Sequence, residues 1–400
     1  MNEELTEQQV LLRNTVREFA EGEVAPVAEA LDRESRFPYE IVAKLGALGF
    51  MGMPVPEALG GAGLDTLSYA IAIEELARVD SSVAITVAAH TSLGTMPIVM
   101  FGDDAQKERW VPELASGRML GAFGLTEPDA GSDAAATRTL AEAHSDGGWR
   151  VNGSKMFITN AGTDITGCCT ITALTAPGEI TNFIVPADAP GYVAGPPLRK
   201  IGWKASDTRP LNFDDLRLGP EAQLGPTGEG FHQFLKILDG GRISVGAMGL
   251  GLAQGAFEMA LRHAKERRQF GKALVGFQSV QFTLADMATE IAAARGMLYL
   301  AARMKDAGER FTKAAAMAKL VTGRLAQTVA ERGAPLARRL RLDGGVTHRP
   351  LLPRRQDPGH RRGHRRGPED GDRPRDRRLR GVAPAGCARV ETPAPAAVHP

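Results

Sequence analysis

Cysteine is scarce in this 400-residue chain, which holds only Cys168, Cys169 and Cys387. Adjacent cysteines rarely bridge each other, and neither the cysteines nor the eight histidines fall at metal-ligand spacing. These absences argue against a disulfide scaffold and a zinc site, and a reducing compartment is expected. Long apolar runs are also lacking: no stretch reads as long enough to cross a bilayer, and the acidic start MNEELTEQQV has no apolar signal core. A cytoplasmic protein is therefore expected. An excess of one charge is missing overall, since the net charge is +1, but the balance is uneven. Residues 333–400 carry 16 Arg against 7 acidic residues, about +9, which leaves residues 1–332 at about −8. A mildly acidic body does not suggest a polyanion partner, so any nucleic-acid signal sits in the Arg-rich tail alone. What remains, 43% hydrophobic and 6% aromatic, is enough for two or three domains with a real core.

The patterning changes along the chain. Thr6-Glu7-Gln8-Gln9 reads as a capping box opening a helix, and helical apolar spacing follows in VLLRNTVREFAEGEVAPVAEAL, IVAKLGALGF and TLSYAIAIEELARVDSSVAITVAAHTSLG. Residues 1–120 thus read as an all-helical domain. From 121 to 226 the texture is β-like. WRVNGSKMFITN reads as a strand, an Asn-Gly turn and a second strand, followed by strand-like GCCTITALT, NFIVPAD, YVAGPPLRKIGW and PLNFDDLRLG. Residues 227–332 read as a bundle of three long helices, the first running from 231 to 270. Gly249-x-Gly251-x-x-x-Gly255 has the look of a dinucleotide fingerprint. No strand precedes it, so helix packing is the reading preferred. Residues 333–400 lack apolar periodicity and are rich in Arg, Pro and Gly. They cannot bury enough surface to offset their ordering entropy, and no packed helix is expected beyond about residue 335.

Three stretches have chemical potential. GLTEPDAGSD, residues 124–133, is on its own an ordinary polar loop, although its backbone N–H groups and the Thr126 and Ser132 hydroxyls can bind a polar heterocycle or a phosphate. KMFITNAG, residues 155–162, is either a hairpin strand with Phe157 in the core or a site where Phe157 stacks on a flat ring and Thr159 bonds its edge. In AKERRQFGKALVGFQSVQF, residues 264–282, the cations are either a solvated helix end or, with Arg267 and Gln278, a pyrophosphate contact.

Together these stretches resemble the acyl-CoA dehydrogenase family, and the resemblance covers residues 1–332. GAFGLTEPDAGSD is similar to the family's first signature. FITN, KIGWKASDTRPLNFDD, LDGGRI and ERRQFGKALVGFQSVQF follow in the family's order, with wording most similar to short-chain, butyryl-type members. The fold it implies is α+β and multi-domain: an N-terminal helical domain, a middle β-barrel-like domain and a C-terminal helical bundle. The resemblance also implies a noncovalent FAD. Phe123, Gly124, Leu125, Thr126, Gly131 and Ser132 with Phe157, Ile158 and Thr159 would line it. Arg267, Arg268, Gln269, Phe270, Phe277 and Gln278 would reach the FAD of a neighbouring subunit. Ser132, Asp239, Gly240, Gly241 and Arg242 would hold the acyl-CoA. The implied activity is α,β-dehydrogenation of an acyl-CoA to the 2-enoyl-CoA, as in fatty acid β-oxidation. An electron-transferring flavoprotein would accept the electrons, and a homotetramer is the expected assembly.

That chemistry needs a general base for a weakly acidic α-proton. Most of the family takes it from a Gly-Glu-Gly-Thr-like motif before a last helix, and a minority from the long helix at the position of Gly241, where a glycine cannot serve. The family-like sequence stops near residue 332. Arginine is CGN, so Arg-Arg pairs read one base forward become GNC codons for Gly, Ala, Asp or Val. With GC-rich choices, residues 354–374 then spell A-A-K-T-L-G-T-G-E-G-T-A-E-V-Q-K-M-V-I-A, which resembles the family's closing motif. The expectation is a frameshifted C-terminus that removes both the last bundle helix and the catalytic Glu, whose codon would straddle Arg362 and Gly363.

Three function classes follow: an acyl-CoA dehydrogenase impaired in this chain, a flavin- or acyl-CoA-binding protein without dehydrogenase activity, and a nucleic-acid binder using the tail. A bound-flavin spectrum separates the third from the others, and acyl-CoA-dependent dye reduction separates the first two.

Overall fold

The structure is a computed structural model and describes residues 5–336. The expectations about the Arg-rich tail fall outside these residues. The chain begins with α1 (Glu7–Phe19), and the Thr6 capping box is formed in full: Thr6 Oγ1 accepts from Gln9 N at 3.2 Å and Gln9 Oε1 accepts from Thr6 N at 3.1 Å. Six more helices follow: α2 (Ala25–Glu34), α3 (Tyr39–Ala47), α4 (Thr66–Val79), α5 (Ser81–Ala89), α6 (Met96–Phe101) and α7 (Asp104–Ala115). Asp80 ends α4 in an extended conformation and caps α5 by accepting from Ser82 N and Val83 N. Between α5 and α6 a π-helical turn, His90–Thr95, keeps the chain helical. The continuous segment Ser81–Phe101 is long and apolar enough to span a bilayer, which the sequence reading overlooked, but 72% of its most apolar window is buried inside the protein. It is a core segment by its packing.

The strands are β1 (Leu120–Gly124), β2 (Leu140–Ala143), β3 (Trp149–Thr159), β4 (Thr166–Ala176), β5 (Glu179–Pro186), β6 (Tyr192–Ala194), β7 (Thr208–Leu218) and β8 (Gln223–Leu224). They form one sheet in the order β6-β7-β3-β2-β4-β5-β8, with β1 added parallel to β4. The sheet curls round its own apolar core. Trp149 of β3 meets Phe183 of β5 edge to face at 5.2 Å although β2 and β4 lie between them in the sheet.

Two sequence expectations fail here. Residues 149–160 are not a hairpin, because β3 runs through Asn152 and Gly153 without turning. The irregularity lies on the partner strand: β7 carries an extra residue between Leu216 and Phe213, and Asn152 Oδ1 accepts from Asp215 N at 2.9 Å to hold it. Gly153 is needed because a Cβ there would lie 2.6 Å from Thr139 Oγ1 and 2.7 Å from Thr139 Cα. In YVAGPPLRKIGW only Tyr192–Ala194 is strand, since the two prolines that follow offer no ladder donors.

The C-terminal helices are α8 (Gly230–Glu266), α9 (Gln278–Asp306) and α10 (Thr312–Leu336). The first helix is shorter than expected. It ends at Glu266, and Arg268 and Gln269 form a small antiparallel hairpin, β9 (Arg268–Gln269) with β10 (Lys272–Ala273), turned by Phe270 and Gly271 at positive φ. The glycines of α8 serve packing. At Gly251 a Cβ would collide with the backbone oxygen of Glu74, so α4 and α8 touch along their backbones there. Buried charges tie α4 to α1 and α9. Glu74 accepts from Arg295 Nη2 at 2.7 Å and from Tyr299 Oη at 2.9 Å, while Glu75 accepts from Arg17 and Arg78.

Candidate functional site

The site starts at the exit of β1. Residues 125–132 leave the sheet as a loop with few backbone bonds of its own, chiefly the Glu127–Ala130 pair. Glu127 anchors it. Its carboxylate accepts from Arg138 N at 2.7 Å, Thr139 N at 3.1 Å, Thr139 Oγ1 at 2.7 Å and Lys155 Nζ at 2.7 Å. Burial opposes the charge on Glu127, but the Lys155 ammonium and these donors outweigh it and hold the carboxyl below its ordinary range. Lys155 is wholly buried and also donates to Thr172 Oγ1 at 3.0 Å and Leu125 O at 3.4 Å. Burial pushes its pKa down, and Glu127 pulls it back up.

Loop and strand meet directly, since Met156 N donates to Thr126 O at 2.7 Å. Between Lys155 and Ile158 β3 carries one residue more than β7, and this bulge puts Phe157 at φ +64 with the residue 65% exposed. Phe157 is therefore not a core residue. An apolar ring held outward in a left-handed conformation at a bulge makes Phe157 a candidate functional position. Ile158 is buried behind it, and Thr159 is partly buried. Asn160 pins the end of the strand: wholly buried at φ +62, it donates from Nδ2 to Thr86 O of α5 at 3.0 Å. An exposed aromatic face beside the Thr126 and Thr159 residues and an open loop suits a flat heterocycle with polar edges, so the residues fit a flavin.

A second feature lies between α5, the π-helical turn and α8. It is a cavity of about 200 Å³, walled by Ile85, Ala88, Leu93, Leu238 and Val245, with Ser92 and Ser244 as its hydroxyls and Arg242 and Lys319 as its cations. No carboxylate lines it among the described residues. Gly241 forms part of the wall, and a Cβ there would fit without collision, in ordinary contact with Leu93 Cδ2 at 3.6 Å and Ser92 Oγ at 3.9 Å. Asp239 is paired with Arg242 and accepts from Thr312 Oγ1 at 2.7 Å. Gly240 lies next to Lys305. The π-helical turn joins the cavity to β1, the strand that leads into the loop. Its Ser92 and Leu93 line the cavity, while His90 accepts from Gly121 N at 3.0 Å and bonds Leu114 O through Nε2 at 3.0 Å. Burial pushes His90 down to about 4, so it is neutral with Nε2 as the donor.

The structure thus brings residues 124–132 and 157–159 together. It sets Arg267, Arg268, Gln269 and Phe270 apart, exposed on the small hairpin. Phe270 is 94% exposed and packs edge to face on Phe277, which precedes Gln278 at the start of α9. Sequence reasoning missed Glu127, Lys155 and His90 as supports of this site. The only available signal was a lone acidic residue inside the Gly/Asp/Ser loop and a lone lysine before an apolar strand.

Three family models match the chain: acyl-CoA dehydrogenase N-terminal domain over residues 6–118, middle domain over 122–216 and C-terminal domain over 228–336. The chain belongs to the acyl-CoA dehydrogenase family. Within it, the short-chain specific acyl-CoA dehydrogenase of Clostridium acetobutylicum is 42% identical over 340 residues, covering 84% of this chain and 89% of that protein. The butyryl-CoA dehydrogenase structure from Megasphaera elsdenii matches with a TM-score of 0.83 at 39% identity, covering 88% of this chain and 92% of that one. A glutaryl-CoA dehydrogenase from Mycobacterium smegmatis, solved with FADH2, matches with a TM-score of 0.81 at 32% identity, covering 87% and 89%.

Proposed function

We propose that this chain is an FAD-dependent acyl-CoA dehydrogenase whose described residues hold the cofactor and the acyl-CoA but supply no general base. The observation that carries the reading is the pairing of two features across β1 and one turn of helix: an outward Phe157 against the residue 124–132 loop, and an apolar cavity with Gly241 in its wall. Phe123, Gly124, Leu125, Thr126, Gly131 and Ser132 with Phe157, Ile158 and Thr159 would hold the flavin, Phe157 against its face and the hydroxyls at its edge. When bound, FAD supplies the acceptor for the hydride leaving the β-carbon. The cavity takes the acyl chain and excludes water from it. Ser132 and residues 239–242 orient the thioester. Arg267, Arg268, Gln269, Phe270, Phe277 and Gln278 serve the cofactor of a second subunit in a homotetramer, and an electron-transferring flavoprotein in the cytoplasm accepts the electrons.

The missing part is the group that takes the α-proton. Neither Gly241 nor any other cavity residue described carries a carboxylate. We infer that the base belongs beyond residue 332, in a segment whose codons this chain reads in another frame. Loss of a general base costs roughly 10²–10⁴-fold. The test compares this chain with a version whose frame is restored from Gly333. Both should bind FAD and turn yellow, and only the restored chain should reduce dye rapidly with butyryl-CoA. Equal rates would overturn the account of the base, and the absence of bound flavin from both would overturn the cofactor.

A further inference from the structure

The geometry points to Glu127 and Lys155 as positioning residues for the cofactor, an inference that rests on the flavin reading above. A buried ion pair is an expensive way to gain stability, because apolar groups of the same volume serve as well or better. This pair has a different task. Residues 125–132 lack a strand ladder, so something else must fix them, and every bond of the pair ends on a part of the site or its immediate support. Lys155 holds Leu125 O on the loop and Thr172 Oγ1 on β4, while Glu127 holds Arg138 N and Thr139 N ahead of β2. Lys155 is also the last residue of β3 in register with β7 before the bulge that turns Phe157 outward. Its inward side chain pins one end of that bulge, and Met156 N on Thr126 O ties the next residue to the loop. The pair therefore sets the distance between the Phe157 ring and the loop, the two walls between which the flavin would lie. Its charges balance each other, so its influence on the cofactor is one of placement.

The test uses the full chain and FAD. In Lys155→Met/Glu127→Gln both charges go together, volume is kept, and the Gln oxygen still accepts from Thr139 N, while the bond from Arg138 N is given up. We expect this variant to fold with an apoprotein thermal midpoint somewhat below that of the parent, to bind FAD at least about tenfold more weakly, and to shift the visible band of the bound flavin. Thr172→Val, which removes a single acceptor of Lys155 inside the sheet, should weaken FAD binding by a smaller factor with the same sense of band shift. Affinities are measured well below the midpoint of every variant, so that a loss of affinity belongs to folded protein. If the double variant does not fold, Thr172→Val decides. Parent-like affinity and spectrum in the folded variants would overturn the proposal, whatever happens to their midpoints, and would leave the pair a stabilising element only. Failure of the unsubstituted chain to bind FAD would show before any variant is made and would overturn the flavin reading, and this inference with it.

Discussion

Gly241 and His90 each decide something by what their side chains do not do. Gly241 leaves room in the cavity wall, with its nearest neighbours at 3.6 and 3.9 Å from a Cβ. A carboxylate built there would face the acyl chain. We expect Gly241→Glu to raise butyryl-CoA turnover of this chain by at least about tenfold, a fraction of what a general base contributes. Burial raises the pKa of such a carboxyl, so the gain should grow as pH rises through the value the site imposes. Dye reduction across a pH series checks both. His90 is held neutral, with a folded pKa of about 4 against 6.5 for an ordinary histidine. Between those values the unfolded chain binds a proton that the folded chain does not, so stability is intact above about pH 6.5 and falls as pH drops toward 4. The full loss is roughly 3 kcal/mol. Thermal midpoints across this window should fall steadily, and His90→Gln should flatten that part of the profile.

At the scale of elements, the contact between α4 and α8 is made by backbone. At Gly251 even a methyl group meets Glu74 O, so Gly251→Ala must push the helices apart or bend α8. Overpacking of this kind costs roughly 1–3 kcal/mol. Its effect should spread, because the same stretch of α4 carries Glu74 and Glu75, whose bonds to Arg295, Tyr299, Arg17 and Arg78 join α1, α4 and α9. A drop in the urea midpoint with unchanged slope would fit a local strain, and no drop would refute the close packing. The stretch 249–255 thus looked like a dinucleotide fingerprint in the sequence and is a helix contact in the fold, because no strand delivers a turn to its start.

For the molecule as a whole, α10 presents Met317, Leu320 and Val321 to solvent on neighbouring turns. Exposed apolar side chains at this spacing mark a face meant to be covered. From a chain with its frame restored from Gly333 we expect a homotetramer. This chain should show a smaller or polydisperse assembly by light scattering at equal concentration, and an equally stable tetramer of both would remove the restored segment from the account of assembly.

Much of the architecture was legible because it is written locally. The Thr6 capping box, the apolar spacing of α1, α4, α9 and α10, and the strands β4, β5 and β7 follow from residues within a few positions of one another, which is the range over which backbone bonding and amphipathic periodicity act. The order helix, sheet, bundle follows from the same signals, and so does the choice of residues 124–133 and 155–162 as stretches worth weighing. What the fold alone decided depends on partners distant in the chain. Lys155 finds Glu127 and Thr172 from 28 and 17 positions away, and Asn160 finds Thr86 from 74. The Asn152-Gly153 pair has the composition of a turn, yet the neighbouring β7 bulge and the closeness of Thr139 make it part of a continuous strand. Phe157 is apolar and lies in a strand, which by composition alone sends it to the core. Only the extra residue in β3 relative to β7 reverses its direction, because register is a property of two strands and neither one contains it.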